Sequence, residues 1–251
     1  MIVDVHCHLE DEAFKDDVAD VVKRAKENKI VGIITNGTSP VQNRTCLELS
    51  KKYDIVKCAL GLYPIDASKH QEYKVSDVDI EIEFIKKNKK NVIAIGEIGL
   101  DKKYGKDIEL QKKIFSKMCS LAKELDIPVI VHSRNAELET IEELEKYGMK
   151  KVVMHCFGGR KNLVKRILDN NWHISIPVNC VRSQHFQNIV DMSPIANLLT
   201  ETDAPYLGPE SEQRNEPSNV PLTIKKIAEI KAITEDECEK LIYLNYQRLF
   251  M

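Results

Sequence analysis

The sequence predicts a (β/α)8 TIM barrel in one domain spanning residues 1–251. Three observations carry this. Short apolar runs alternate with longer amphipathic ones from end to end, and alternating strands and helices imply parallel pairing through crossovers. Eight such runs fit into 251 residues, a length at which a barrel forms around one core. Histidines and carboxylates recur at the ends of the runs, on the face where such barrels carry their functional loops. The competing architecture is an open doubly wound sheet.

The first strand is Ile2–His6, within the stretch VDVHCHLE at residues 3–10. Residues two apart in a strand share a face, so His6 and His8 aim at one point while Cys7 turns away. A helix over Asp17–Asn28 leads to a second strand, Val31–Thr35. A helix over Gln42–Tyr53 leads to a third, Val56–Leu60, followed by Gly61-Leu62-Tyr63-Pro64-Ile65. The helix Val78–Asn88 precedes the fourth strand, Val92–Glu97. In the helix Ile108–Leu125, the residues Ile114, Phe115, Met118, Leu121, Ala122 and Leu125 recur at spacings of three and four, which marks one buried face. Pro128 stops that helix and opens the fifth strand, Val129–His132. A helix over Glu137–Tyr147 leads to the sixth strand, Val152–His155. Shorter units bring His173–Ile176 and Asn197–Thr200, and Glu210–Val220 reads as a long loop before two C-terminal helices.

Composition bounds the function. The 37 basic and 39 acidic residues give a net charge of −2, so no global field attracts polyanions; contact with nucleic acid must be local, through a few cations. The seven cysteines are odd in number, scattered and without a Cys-x-x-Cys pair, which points to reduced thiols. The N-terminus has no basic region followed by an apolar core, and no apolar stretch reaches the ~18 residues of a membrane span. A cytoplasmic protein with no membrane partner is expected.

The polar residues at the strand ends are His6 and His8, Glu97 in VIAIGEIGLD, His132 in VIVHSRNA, His155 in VVMHCFGG, and Asp203 in LLTETDAPYL, just past the eighth strand. A single buried histidine is often a satisfied core residue, but six such groups at one end of a barrel form a constellation. Imidazoles and carboxylates without thiolate suit zinc, manganese, iron, nickel or magnesium. Six ligands exceed the three of a catalytic zinc and match two ions sharing a carboxylate. Glu97 is the natural bridge, since its strand lies between the first strand and the fifth and sixth.

In chain order, the motifs DVHCHL, GLYP, GEIGLD, PVIVHSRNA, MHCFGG, ETDAPYL, NEPSNVP and NYQRLF resemble those of the TatD-related deoxyribonucleases, metal-dependent hydrolases of the wider amidohydrolase group. The likeness runs from residue 2 to residue 250. It implies the barrel reached above, one metal on His6, His8, Glu97 and Asp203, and a second on Glu97, His132 and His155. It also implies a phosphodiesterase acting on DNA, commonly at 3′ ends. The family usually carries G-x-H-P-H after the third strand, where this chain has Tyr63 and Ile65 in place of the histidines, with Asp66 following as expected. Gly158 stands where a Ser or Thr is common. These departures touch substrate handling and leave the metal ligands intact.

In such a site Asp203 is placed to take the proton of the attacking water. Arg134 is expected to fork onto a phosphate oxygen, against the alternative of an exposed residue in a first helical turn. Tyr63 either faces the substrate or packs at the rim. Arg214 is a weaker phosphate contact, Glu201 an orienting group, and Lys102 and Lys103 solvated surface. Magnesium or manganese is expected to support turnover, with zinc retained in a purified sample because imidazoles bind it more tightly. Two other readings compete: hydrolysis of an ester or amide at the same site, such as deacylation of mischarged transfer RNA, and a non-catalytic binding protein on a decayed barrel.

Overall fold

The computed structural model describes residues 1–65, 75–210 and 212–251; Asp66 lies outside them. Eight parallel strands pair in chain order among the described residues: β1 Ile2–Cys7, β2 Ile30–Gly37, β3 Val56–Leu60, β4 Val92–Asp101, β5 Val129–Arg134, β6 Val152–His155, β7 His173–Ile176 and β8 Leu198–Thr200. Between and after them lie α1 Val18–Glu27, α2 Pro40–Lys52, α3 Val75–Lys87, α4 Ile108–Leu125, α5 Glu137–Lys146, α6 Lys161–Asp169, α7 Gln184–Met192, α8 Val220–Lys231 and α9 Glu235–Phe250. This is the expected α/β barrel, and the doubly wound alternative falls with it.

The seam between β8 and β1 is closed by hydrogen bonds from residues at and just beyond the strand ends. Thr200 Oγ1 donates to the Val3 carbonyl at 2.7 Å. Thr202 donates through its hydroxyl and its N–H to the two oxygens of buried Asp4, at 2.6 and 3.0 Å. Past the end of β8, Asp203 N–H reaches the His6 carbonyl at 2.9 Å, and His8 N–H reaches the Ala204 carbonyl at 2.7 Å. The first ligand segment and the last are thereby locked together. Helix α9 packs over the same seam, against β1 and β8.

Several boundaries differ from those expected. Helix α2 begins at Pro40, because Ser39 caps it by accepting the Gln42 N–H at 3.3 Å and proline suits a first turn. Strand β8 begins at Leu198, since Asn197 belongs to a preceding 3-10 turn. The larger correction is β4: it does not end at Glu97 but runs on to Asp101, pairing with β5 as far as Asp101 and Arg134. A register shift between Ile95 and Ile98 interrupts the ladder beside Glu97. Beyond it Gly99 has φ +144°, and a Cβ there would overlap the His132 carbonyl. Only glycine lets β4 continue so close to β5. In the same way β5 carries two residues past His132, so Arg134 is a strand residue and not part of a helical first turn.

Candidate metal centre

The fold brings all six expected ligands together at the C-terminal mouth, each of them buried. His6 arrives from β1, Glu97 from the middle of β4, His132 from β5 and His155 from the last position of β6. His8 and Asp203 lie just past β1 and β8. Asp203 has φ +57°, a left-handed conformation that a short acidic side chain tolerates, and this turns the chain at the mouth.

The ligand atoms fall into two groups that meet at Glu97. In the first, His6 Nε2 and His8 Nε2 are 3.2 Å apart, and Asp203 Oδ1 lies 3.5 Å from one and 3.6 Å from the other. Glu97 Oε2 stands 3.7 Å from His6 Nε2 and 3.6 Å from His8 Nε2. In the second, Glu97 Oε1 lies 2.9 Å from His132 Nδ1 and 3.2 Å from His155 Nε2, which are 3.4 Å from each other. One carboxylate thus turns one oxygen to each group. Donor atoms about 2.1 Å from a shared ion stand roughly 3.4 Å from one another in a tetrahedral shell, so these separations suit cation binding. Paired imidazole nitrogens crowded in a buried site without a cation between them are otherwise hard to satisfy. The residues present therefore fit the divalent metals implied by the sequence.

Behind the ligands lies a set of orienting groups. His8 Nδ1 is 2.9 Å from the Asn36 carbonyl and 3.0 Å from Glu10 Oε1, which leaves Nε2 free to ligate. His155 Nδ1 faces Glu201 Oε2 at 3.6 Å, and Glu201 also accepts a hydrogen bond from the Ser175 hydroxyl. His132 Nε2 lies 3.3 Å from Asp101 Oδ2, and the Tyr63 hydroxyl donates to that same oxygen at 2.6 Å. Asp101 Oδ1 in turn accepts the backbone N–H groups of Lys103 and Tyr104 at 2.7 and 2.9 Å. Sequence reasoning anticipated Glu201 but missed Asp101 and Glu10. A signal for Asp101 was present: it lies four residues after Glu97, an even spacing along a strand.

Charge follows from these contacts. Burial alone would depress His8, but the carboxylates of Asp203 and Glu10 hold it well above the ordinary imidazole range. His155 is pulled down by burial and more strongly up by Glu201 and Glu97, to about 10. His6 is held well below its usual value by burial and by the neighbouring His155, whose ring stacks on it at 3.8 Å. Burial raises the Glu97 carboxyl, yet hydrogen bonds from His132 and His155 keep it well below the carboxylate range. Asp101 resists burial through its bonds with His132 and Tyr63 and lies at about 2.

The remaining predicted residues divide. Tyr63 is half-buried at the lip with its proton committed to Asp101, so its hydroxyl is part of the orienting network. Arg134 sits at the end of β5, its guanidinium 5.5 Å from the Tyr104 ring centre, without a side-chain hydrogen bond or ion pair among the described residues. Arg214 is turned away from the role expected of it: it forks onto Asp17 at 2.8 and 2.6 Å and lies over the Phe14 ring. Lys102 pairs with Glu139. Cys7 donates to the Ile34 carbonyl at 3.6 Å, away from the metal ligands, and all seven cysteines are free. Among the described residues no helix is long and apolar enough to cross a membrane.

Residues 3–251 match the model of the TatD related DNase family. Human deoxyribonuclease TATDN3 is 32% identical over 259 aligned residues, covering 99% of this chain and 94% of that protein. An uncharacterized metal-dependent hydrolase of Methanocaldococcus jannaschii is 38% identical over 250 residues, covering 99% of this chain and 96% of its own. Among solved structures, YjjV, a TatD homolog from Escherichia coli K12, superposes with a TM-score of 0.90 at 26% identity, covering 99% of this chain and 97% of the other.

Proposed function

The chain belongs to the TatD related DNase family, and from that membership we propose that it hydrolyses phosphodiester bonds of DNA with two divalent cations, removing nucleotides from 3′ ends. It is a metal-dependent hydrolase. The observation that supports the two-cation reading is the Glu97 carboxylate, with Oε2 turned to the His6, His8 and Asp203 group and Oε1 to His132 and His155, while the choice of DNA and of its 3′ ends rests on the family. In this reading His6, His8, Glu97 and Asp203 hold one cation, and Glu97, His132 and His155 hold the other. Bound there, the cations supply positive charge against the phosphodiester and acidify a water.

The protein's own groups do the rest. Asp203, at the solvent side of its group, accepts the proton of the attacking water. Glu97 holds both ligand groups in one frame. Asp101 and Glu201 fix the rings of His132 and His155, so that a single imidazole nitrogen of each faces Glu97. Arg134, free of any carboxylate partner among the described residues, is the cation available to a phosphate oxygen. Tyr63 lines the lip beside it and contacts substrate through an oxygen already polarised by Asp101.

The presence of every ligand argues against a decayed binding barrel, where ligands should be lost first. The test is cleavage of a 3′-labelled oligonucleotide with Mg²⁺, Mn²⁺, Zn²⁺ or chelator, run beside release of an amino acid from aminoacylated RNA. Release of mononucleotides that stops with chelator and returns with Mg²⁺ or Mn²⁺ is expected. Deacylation without strand cleavage would transfer the site to the ester reading.

A further inference from the structure

The loop after β4 presents an aromatic ring to solvent directly beside the metal centre. Tyr104 is 55% exposed. The loop is pinned at several points: Asp101 Oδ1 accepts the Lys103 and Tyr104 N–H groups, and Gly105 N–H reaches the Asp101 carbonyl at 3.2 Å. Gln111, reaching back from α4, clamps the Asp101 backbone by accepting its N–H at 2.8 Å and donating to its carbonyl at 3.0 Å. The other oxygen of Asp101 lies on His132 and Tyr63. One carboxylate therefore faces a candidate metal ligand and also fixes the backbone that carries the ring.

Two cations flank the ring. Arg134 Cζ is 5.5 Å and Lys103 Nζ 5.1 Å from its centre, and neither makes a side-chain hydrogen bond or ion pair among the described residues. An exposed ring flanked by uncommitted cations is the arrangement by which proteins hold single-stranded nucleic acid: a base stacks on the ring while the cations meet the adjoining phosphates. A second exposed ring at the mouth differs in this respect. Tyr206, also 55% exposed, lies beside His8 with its hydroxyl directed to Asp11, among carboxylates. Uncommitted basic side chains therefore flank the first ring, and carboxylates the second.

We propose that Tyr104 is a base-stacking platform for a nucleotide neighbouring the scissile phosphate, with Arg134 and Lys103 holding the strand's backbone across the β4–β5 side of the mouth. This rests on the phosphodiesterase reading above and adds where the strand lies. Stacking is tolerant of sequence, so the platform confers grip on single strands without base preference.

The experiment compares wild type, Tyr104→Ala and Tyr104→Phe on single-stranded oligonucleotides, each carrying one abasic site at a different position, and on bis(2,2,2-trifluoroethyl) phosphate, a small diester with no ring to stack. For Tyr104→Ala, KM on oligonucleotides should rise about tenfold while kcat changes little. Tyr104→Phe should behave as wild type, and the small diester should be turned over equally by all three. One abasic position should weaken the wild type and leave Tyr104→Ala unaffected. Strand cleavage with equal KM values for wild type and Tyr104→Ala, or an abasic penalty that persists in Tyr104→Ala, overturns the platform alone. A wild-type protein that cleaves no oligonucleotide overturns the phosphodiesterase reading, and the platform falls with it.

Discussion

The two halves of the barrel mouth hold their histidines by different means. On the β1 side, His8 shares its Nδ1 between a backbone carbonyl and Glu10, while His6 Nδ1 has no hydrogen-bond partner among the described residues. On the β5–β6 side each imidazole is faced by a buried carboxylate, Asp101 for His132 at 3.3 Å and Glu201 for His155 at 3.6 Å, although His155 Nδ1, like His6 Nδ1, makes no hydrogen bond among the described residues. A carboxylate behind a ligating imidazole fixes its ring and raises its basicity. On the proposed reading, the β5–β6 half, with two carboxylates behind its two rings, is the one expected to hold an ion longer, and the β1–β8 half, with Asp203 at its solvent edge, the one expected to react. Glu97 is the one of the six candidate ligands that faces both groups.

The largest expected effect comes from breaking the link. Glu97→Gln removes the charge both halves share. Loss of an orienting partner behind a ligand costs about 10–100-fold, so loss of the shared ligand should exceed roughly 10³-fold in turnover. Elemental analysis should show metal content falling in both halves. If Glu97→Gln kept full metal content and activity, the halves would be independent sites.

Asp203→Asn should cut turnover by roughly 10²–10⁴, with the fold retained and the β5–β6 half still loaded. This separates the reacting half from the gripping one. Near-wild-type turnover would remove Asp203 from proton transfer.

The orienting carboxylates sharpen the contrast. Asp101→Asn should weaken metal affinity by about 10–100-fold. Glu10→Gln should cost less, because His8 keeps the Asn36 carbonyl. Equal losses in a competitive chelator titration would mean that the halves are held alike. Tyr63→Phe, which removes only the donor to Asp101, should have a smaller effect, about three- to tenfold, consistent with one hydrogen bond to a charged group.

The pH dependence has a definite sign. His155, at about 10, and His8, held well above its ordinary range, both carry protons near neutrality in the metal-free protein. A metal must displace those protons, so affinity should strengthen as pH rises and weaken as it falls. Calorimetric titration with manganese in buffers of different ionisation enthalpy should reveal proton release. Binding that is independent of buffer and pH would contradict this.

The barrel and the clustering of the six candidate ligands were legible in the sequence because each of these residues ends or follows an apolar run, and a strand's period of two aims alternate side chains together. His6, His8, His132 and His155 could be placed that way without knowing which strands pair. What escaped depends on contacts between strands. Asp101 was missed because its even spacing from Glu97 counts only if β4 runs on that far, and the length of β4 is set by its pairing with β5 and by Gly99. Arg214 looked like a phosphate contact only until the fold set Asp17, distant in sequence, against it. Tyr63 was read as either facing the substrate or packing at the rim, and neither reading gave its proton to Asp101, a contact that depends on the length of β4.

The most direct test of the account is anomalous diffraction from crystals soaked in manganese, recorded above and below the manganese edge. It predicts two adjacent peaks, one against Glu97 Oε2 with His6, His8 and Asp203 and one against Glu97 Oε1 with His132 and His155, the second persisting longer when manganese is withdrawn. A single peak that does not touch Glu97, or none at all, would contradict the account.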